Sequence, residues 1–126
     1  MNIENYFKTL IYSEYVFMFL GMVIALVHPG SSLPSLDYSQ YYFWEVLLLI
    51  LAVIYFINLY FLLNYKDISR RLFVVITIIF ISSYFLLPTE YLKFTRIEIL
   101  IDSIALLVSG GIFSLIYFSE IKKKFT

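Results

Sequence analysis

Four apolar runs fill most of this chain, over residues 10–27, 41–63, 72–87 and 97–118. They are 18, 23, 16 and 22 residues long. A helix rises about 1.5 Å per residue, so each run can cross a hydrocarbon core about 30 Å thick, the third only just. Lipid offers backbone N–H and C=O groups no partner, so a spanning run must satisfy them internally, as a helix. The sequence therefore predicts an all-α integral membrane protein, with four transmembrane helices in one antiparallel bundle spanning residues 1–126. Glu14 lies inside the first run, and Ala25-Leu26-Val27 puts a β-branched residue where a signal-peptide cleavage site needs a small one. The first run is accordingly read as a retained span.

Composition narrows the function classes. At 62% hydrophobic and 14% charged residues, the chain lies outside the range of soluble domains. Nine basic residues balance nine acidic ones, which leaves no electrostatic footprint for nucleic acid. There is no cysteine, hence no thiolate nucleophile or Cys-ligated metal, and the single histidine, His28, cannot form a multi-histidine centre. No cofactor is expected. Integral membrane enzymes present a histidine cluster, paired acids beside Ser or His, or a metal constellation, and none can be assembled from these residues. The expectation is a non-catalytic protein.

Basic residues predict the orientation. Lys8, then Lys66, Arg70 and Arg71, then Lys122, Lys123 and Lys124 fall on one side of the four runs, whereas only Lys93 and Arg96 fall on the other. This asymmetry over short loops places both termini inside, in the inner (cytoplasmic) membrane of a bacterium. The 28–40 connection carries Pro and Ser turn chemistry, and Tyr38, Tyr41, Tyr42, Phe43 and Trp44 follow it as an interfacial aromatic belt. The short 64–71 connection makes the second and third spans antiparallel neighbours. Pro88 ends the third span, and Thr95 with Glu98 forms a capping box for the fourth.

The polar residues inside the spans are the candidate functional positions. A charge near the bilayer centre costs about 2.5–3.5 kcal/mol on insertion scales, so such groups are rarely idle. At helical spacing Glu14, Gly21, Ala25 and His28 share one stripe, with Gly21 and Ala25 as a small-xxx-small surface for close helix approach. Glu45 shares a face with Leu49, Ala52 and Phe56, whereas Asn58 points elsewhere and needs a separate partner. In the fourth span Glu98, Asp102, Ala105 and Ser109 form a polar, small-residue stripe flanked by Gly110. Glu14 is expected in the inner leaflet, about four residues or ~6 Å from the start of its span. Glu45, Glu98 and Asp102 are expected in an outer polar cluster with Arg96, Lys93 and His28.

In size, number of spans, internal termini, aromatic outer loop and isolated polar residues within lipid, the chain resembles the small polytopic immunity proteins. Those proteins protect bacteria from pore-forming toxins. The resemblance implies a membrane-protein partner, an inserting toxin, met within the bilayer. A small subunit or assembly factor of a membrane complex has the same features, and association with further copies of this chain uses the same surfaces. The four short spans with a carboxylate on the first also look like the small multidrug-resistance transporters. There Glu14 would be the group that carries protons and cationic drugs. The strong charge bias and the long 28–40 loop depart from that pattern.

Overall fold

The computed structural model describes residues 2–27, 39–86 and 96–126. Backbone groups that lipid leaves unsatisfied are taken up within four helices: α1 (Ile3–Val27), α2 (Ser39–Leu63), α3 (Asp67–Leu86) and α4 (Arg96–Phe118). A short 3-10 turn, Glu120–Lys124, follows α4. Three helices are long and apolar enough to cross a membrane, through Ile3–Ile24, Val46–Leu63 and Ile99–Phe118. The remaining helix, α3, has Asp67, Arg70 and Arg71 within its first five positions, which shortens its apolar stretch.

Two helices begin earlier than hydropathy predicts, α1 at residue 3 instead of 10 and α3 at 67 instead of 72. Hydropathy marks where apolar side chains begin, and a helix can run past that point into polar sequence. For α1 the side chain of Asn2 accepts a bond from the Glu4 backbone N–H, 3.3 Å away. For α3 the carboxylate of Asp67 sits in the first turn, where the helix dipole favours negative charge.

The helices α1 and α4 lie side by side and run in opposite directions, so that Glu4 meets Lys124 and Glu14 meets Ser109. The α2–α3 pair forms a hairpin, as its short connection predicts, and α2 also touches α1. There the Tyr15 hydroxyl donates to the Phe56 carbonyl at 3.0 Å, and the two rings meet edge to face at 4.6 Å. The core is a cluster of Phe7, Ile11, Tyr55, Leu59, Leu62, Phe73, Ile76, Ile112, Ile116 and Ile121. It fills the end of the bundle that holds both termini and the α2–α3 turn. Large apolar residues such as Phe19, Leu49, Leu107 and Phe118 point outward instead, as helices do when lipid is their solvent.

The α2–α3 turn explains how this end is closed. The Lys66 N–H bonds to the Phe61 carbonyl at 3.1 Å and the Tyr65 N–H to the Leu62 carbonyl at 3.0 Å, a Schellman ending for α2. Its left-handed position is filled by Tyr65, with φ 54°, where glycine is usual. The ring is the reason for a tyrosine here. It stacks on Phe7 at 5.8 Å and meets Phe125 edge-on at 5.7 Å, so one side chain links the turn, α1 and the C-terminal segment. Thr126 completes the closure with its backbone, donating to the Tyr65 carbonyl and accepting from the Asp67 N–H, each at 3.0 Å. Asp67 in turn pairs with Arg70 at 2.5 Å and Arg71 at 3.0 Å, while the Arg70 guanidinium lies over the rings of Tyr117 and Phe125.

Candidate functional site

Glu14 is the most deeply buried acid among the described residues, with 3% of its surface exposed. Two hydroxyls converge on one of its oxygens. The Tyr55 phenol donates to Oε1 at 2.8 Å and the Ser109 hydroxyl donates to the same atom at 2.6 Å. The two hydroxyl oxygens lie 3.4 Å from each other. The contact joins α1, α2 and α4 through one acceptor, where the low-dielectric surroundings strengthen each bond. The other oxygen, Oε2, is buried and makes no hydrogen bond among the described residues.

Each member is placed by ordinary helix geometry. Tyr55, Asn58, Leu59 and Leu62 recur at i, i+3, i+4 and i+7, and all four are buried, so they form the inward stripe of α2. Ser109, Ile112 and Ile116 do the same for α4. The Tyr55 ring is held by stacking on Phe73 at 5.8 Å and by an edge contact with Phe80 at 6.0 Å. Phenol, serine and carboxylate are therefore fixed by packing rather than by their mutual bonds alone.

Beyond the packed core, at the level of Glu14, the helices border an open recess of about 420 Å³. Its walls are Glu14 and Met18 from α1, Tyr55 from α2, Thr77, Phe80, Ile81 and Phe85 from α3, and Asp102, Ser103, Ala105, Leu106 and Ser109 from α4. The surface is mainly apolar and aromatic, with hydroxyls and two carboxylates, and no basic side chain lines it among the described residues. No group of three His, Cys, Asp or Glu residues that could hold a metal ion exists among the described residues.

The predicted positions fare unequally against this geometry. Glu14, Asp102 and Ser109 come together on one cavity. Glu14 lies eleven residues after the start of α1, about 16 Å along the helix, as against ~6 Å counted from the start of the apolar run. The early start of α1 causes the difference. Asp102, expected with the outer acids, shares its cavity with Glu14 because α4 runs antiparallel to α1 and places them on facing walls. Among the described residues, a Cβ added at Gly21 or Gly110 meets nothing within 4 Å, so neither is a point of close approach there. The close contact is at Gly111, where a Cβ would lie 3.1 Å from Leu10 Cδ1. One residue of helical rotation, about 100°, separates the glycine that was singled out from the one that packs.

The outward placement of Leu49 shows that the buried face of α2 is that of Asn58 and not that of Leu49. Asn58 has the separate partner it requires, since its Nδ2 donates to the Ser69 carbonyl at 3.0 Å and ties α2 to the first turn of α3. The side chains of Ala25, Glu45 and Glu98, and all of His28, Pro88, Lys93 and Thr95, lie outside the described residues, so the outer cluster and the capping box do too. Tyr55 escaped sequence reasoning altogether. The signal that marks it is Asn58, one turn along: a polar residue inside an apolar span points to the buried face, and Tyr55 shares that face. No protein family, curated protein or solved structure matches this chain.

Proposed function

We propose that this chain is a non-catalytic, four-span protein of a bacterial inner membrane that receives a partner within the bilayer. In this reading α3 is the fourth span, despite its charged first turn. Lys8, Lys66, Arg70, Arg71 and Lys122–Lys124 gather at the end that holds both termini, which supports an N-in/C-in orientation. The observation that carries the binding role is the cavity at Glu14. An apolar recess bounded by all four helices, with a few fixed polar groups, is the form that intramembrane recognition takes. Within this role an immunity protein is the specific proposal. A helix of an inserting toxin would lay side chains into the recess, bond to its hydroxyls, and be kept from assembling a pore.

A second reading, transport of small cations, is favoured by the mid-helix position of Glu14 on the cavity wall. One experiment separates the two. Cells expressing the chain are challenged with membrane-inserting toxins, and in parallel their efflux of cationic dyes is measured, each with Glu14 and with Glu14→Gln. Protection that persists in Glu14→Gln supports the immunity reading, because the amide keeps an acceptor for Tyr55 and Ser109. Dye efflux that is lost in Glu14→Gln, without protection, supports transport, because an amide cannot exchange a proton.

A further inference from the structure

The segment that follows α4 touches three separate parts of the fold. We infer that residues 119–126 form a clasp that sets the gap between α3 and α4, and so governs access to the recess at Glu14. The bearing on a partner rests on reading that recess as a binding site; the clasp rests on its own contacts.

The segment folds with one side in and one side out. The Ser119 hydroxyl accepts from the Ile121 N–H at 3.2 Å and starts the 3-10 turn. Ile121 is buried, and Phe125, four residues on, packs against the same core, while Lys122 and Lys123 are exposed. The Phe125 ring meets Phe7 of α1 edge-on at 6.2 Å and Tyr65 of the α2–α3 turn at 5.7 Å. The Arg70 guanidinium of α3 lies 5.8 Å from the centre of the same ring. Lys124 pairs with Glu4 at the start of α1, and the Thr126 backbone bonds to Tyr65 and Asp67.

These contacts bind two helix pairs to each other. One pair is α1 with α4 and the other α2 with α3, and α1 also touches α2. The pairs are therefore hinged along the α1–α2 side, and the α3–α4 side is the one that can open. The recess lies on that side, where Thr77, Phe80 and Ile81 of α3 stand across from Ser103, Ala105 and Leu106 of α4. Below it the first turn of α3 is tied to the other pair. The Tyr117 hydroxyl donates to the Arg70 carbonyl at 3.5 Å, the Arg70 guanidinium lies 5.4 Å from the Tyr117 ring centre, and the Asp67 N–H donates to Thr126. Ile78 lies eight residues beyond Arg70, roughly 12 Å along the axis, so a pivot of about 15° at the tied turn carries it about 3 Å.

The margin that keeps the clasp closed is small. Tyr65 holds a left-handed backbone, φ 54°, that costs a non-glycine residue energy. The Tyr65 hydroxyl and Arg70 Nε are buried with no hydrogen-bond partner among the described residues, and each such group weakens the closed state. The Lys124–Glu4 pair is partly exposed, with side chains at 43% and 32%, so water screens it. Elements that move in a functional change are drawn from regions of this low local stability.

The test uses the full chain in lipid nanodiscs. The sequence has no cysteine, so spin labels attach only where they are placed. One labelled pair, Ile78→Cys with Leu107→Cys, spans α3 and α4; the other, Val16→Cys with Leu107→Cys, spans α1 and α4, and all three positions are exposed. Distances are read by double electron–electron resonance. Phe125→Ala should lengthen the Ile78–Leu107 distance by about 3 Å or more and leave the Val16–Leu107 distance unchanged. Lengthening of both distances is general loosening and overturns the clasp. Lys124→Gln leaves the rings in place and should add the longer distance as a second population; it decides the matter if Phe125→Ala loses its helical signal. An unchanged Ile78–Leu107 distance in the folded variants overturns the clasp. Survival under the toxin challenge is a separate readout. A widened gap with undiminished protection overturns the recess as the partner's site and leaves the clasp standing.

Discussion

Tyr55 and Glu14 meet across 2.8 Å near the middle of the bundle, although 41 residues separate them in the chain. Ser109 reaches the same carboxylate oxygen from a third helix. In lipid, where apolar helix surfaces gain little from meeting each other, such a shared acceptor contributes to which faces come together.

The shared acceptor predicts a non-additive cycle. Tyr55→Phe keeps the stacking on Phe73 and removes one donor; Ser109→Ala removes the other. Each should destabilise the bundle by about 0.6–2 kcal/mol, the scale of an interhelical hydrogen bond. The double variant should exceed the sum, because only then does Oε1 lose every donor while still buried. Unfolding by SDS in bicelles measures all three. Strict additivity would show that the two hydroxyls do not share the acceptor.

The two neighbouring glycines of α4 should behave differently. Gly110→Val enters open space and should change stability by under about 1 kcal/mol. Gly111→Val places atoms against Leu10, 3.1 Å from the Cβ position, and should cost about 1–3 kcal/mol by overpacking. The same unfolding assay ranks them, and a reversed order would refute the α1–α4 contact.

At Tyr65 two effects compete. Tyr65→Gly relieves a left-handed backbone, worth about 1–2 kcal/mol, but forfeits ring contacts with Phe7 and Phe125 that contribute about 0.5–1.5 kcal/mol each, besides the burial they accompany. The loss should win by about 1 kcal/mol. Tyr65→Phe keeps both ring contacts and deletes a buried hydroxyl that has no hydrogen-bond partner among the described residues, so it should match or exceed the native stability. A destabilised Tyr65→Phe would reveal a bond to that hydroxyl.

Lys124 pairs with Glu4 and so joins the C-terminal turn to the start of α1. Its hydrogen bond to the Glu4 carboxylate raises the ammonium pKa above the ordinary lysine value. A raised pKa means that this contact is fully present below the ordinary lysine value and is lost as pH climbs through the folded one. Protease cleavage after residue 119 should therefore accelerate only in strongly alkaline solution. Lys124→Gln should cleave faster at neutral pH and lose that alkaline dependence; a native rate in Lys124→Gln would show that the pair does not hold the segment.

Much of this architecture is legible in the sequence, and the limits have a physical origin. Apolar runs report contact with lipid, so they reveal the helices and the α2–α3 pairing but misplace the starts of α1 and α3, where the helix continues through polar residues. Helical phase brings Ser109 inward correctly and assigns Asn58 its own partner. It fails at Gly110 against Gly111, because a 100° step is finer than a face drawn from a few polar residues. Tyr55 is harder to find for another reason. Among 12 tyrosines in the chain, most suited by chemistry to an interface, its own residue type does not distinguish it, and only Asn58 one turn along the same face does.

The backbone of Thr126 bridges Tyr65 and Asp67, so the first N–H of α3 finds its acceptor in a segment that follows α4. The start of α3 is therefore protected by a part of the chain outside its own hairpin. Hydrogen exchange at the Asp67 amide reports the docking of the 120–126 segment, and not the local stability of α3.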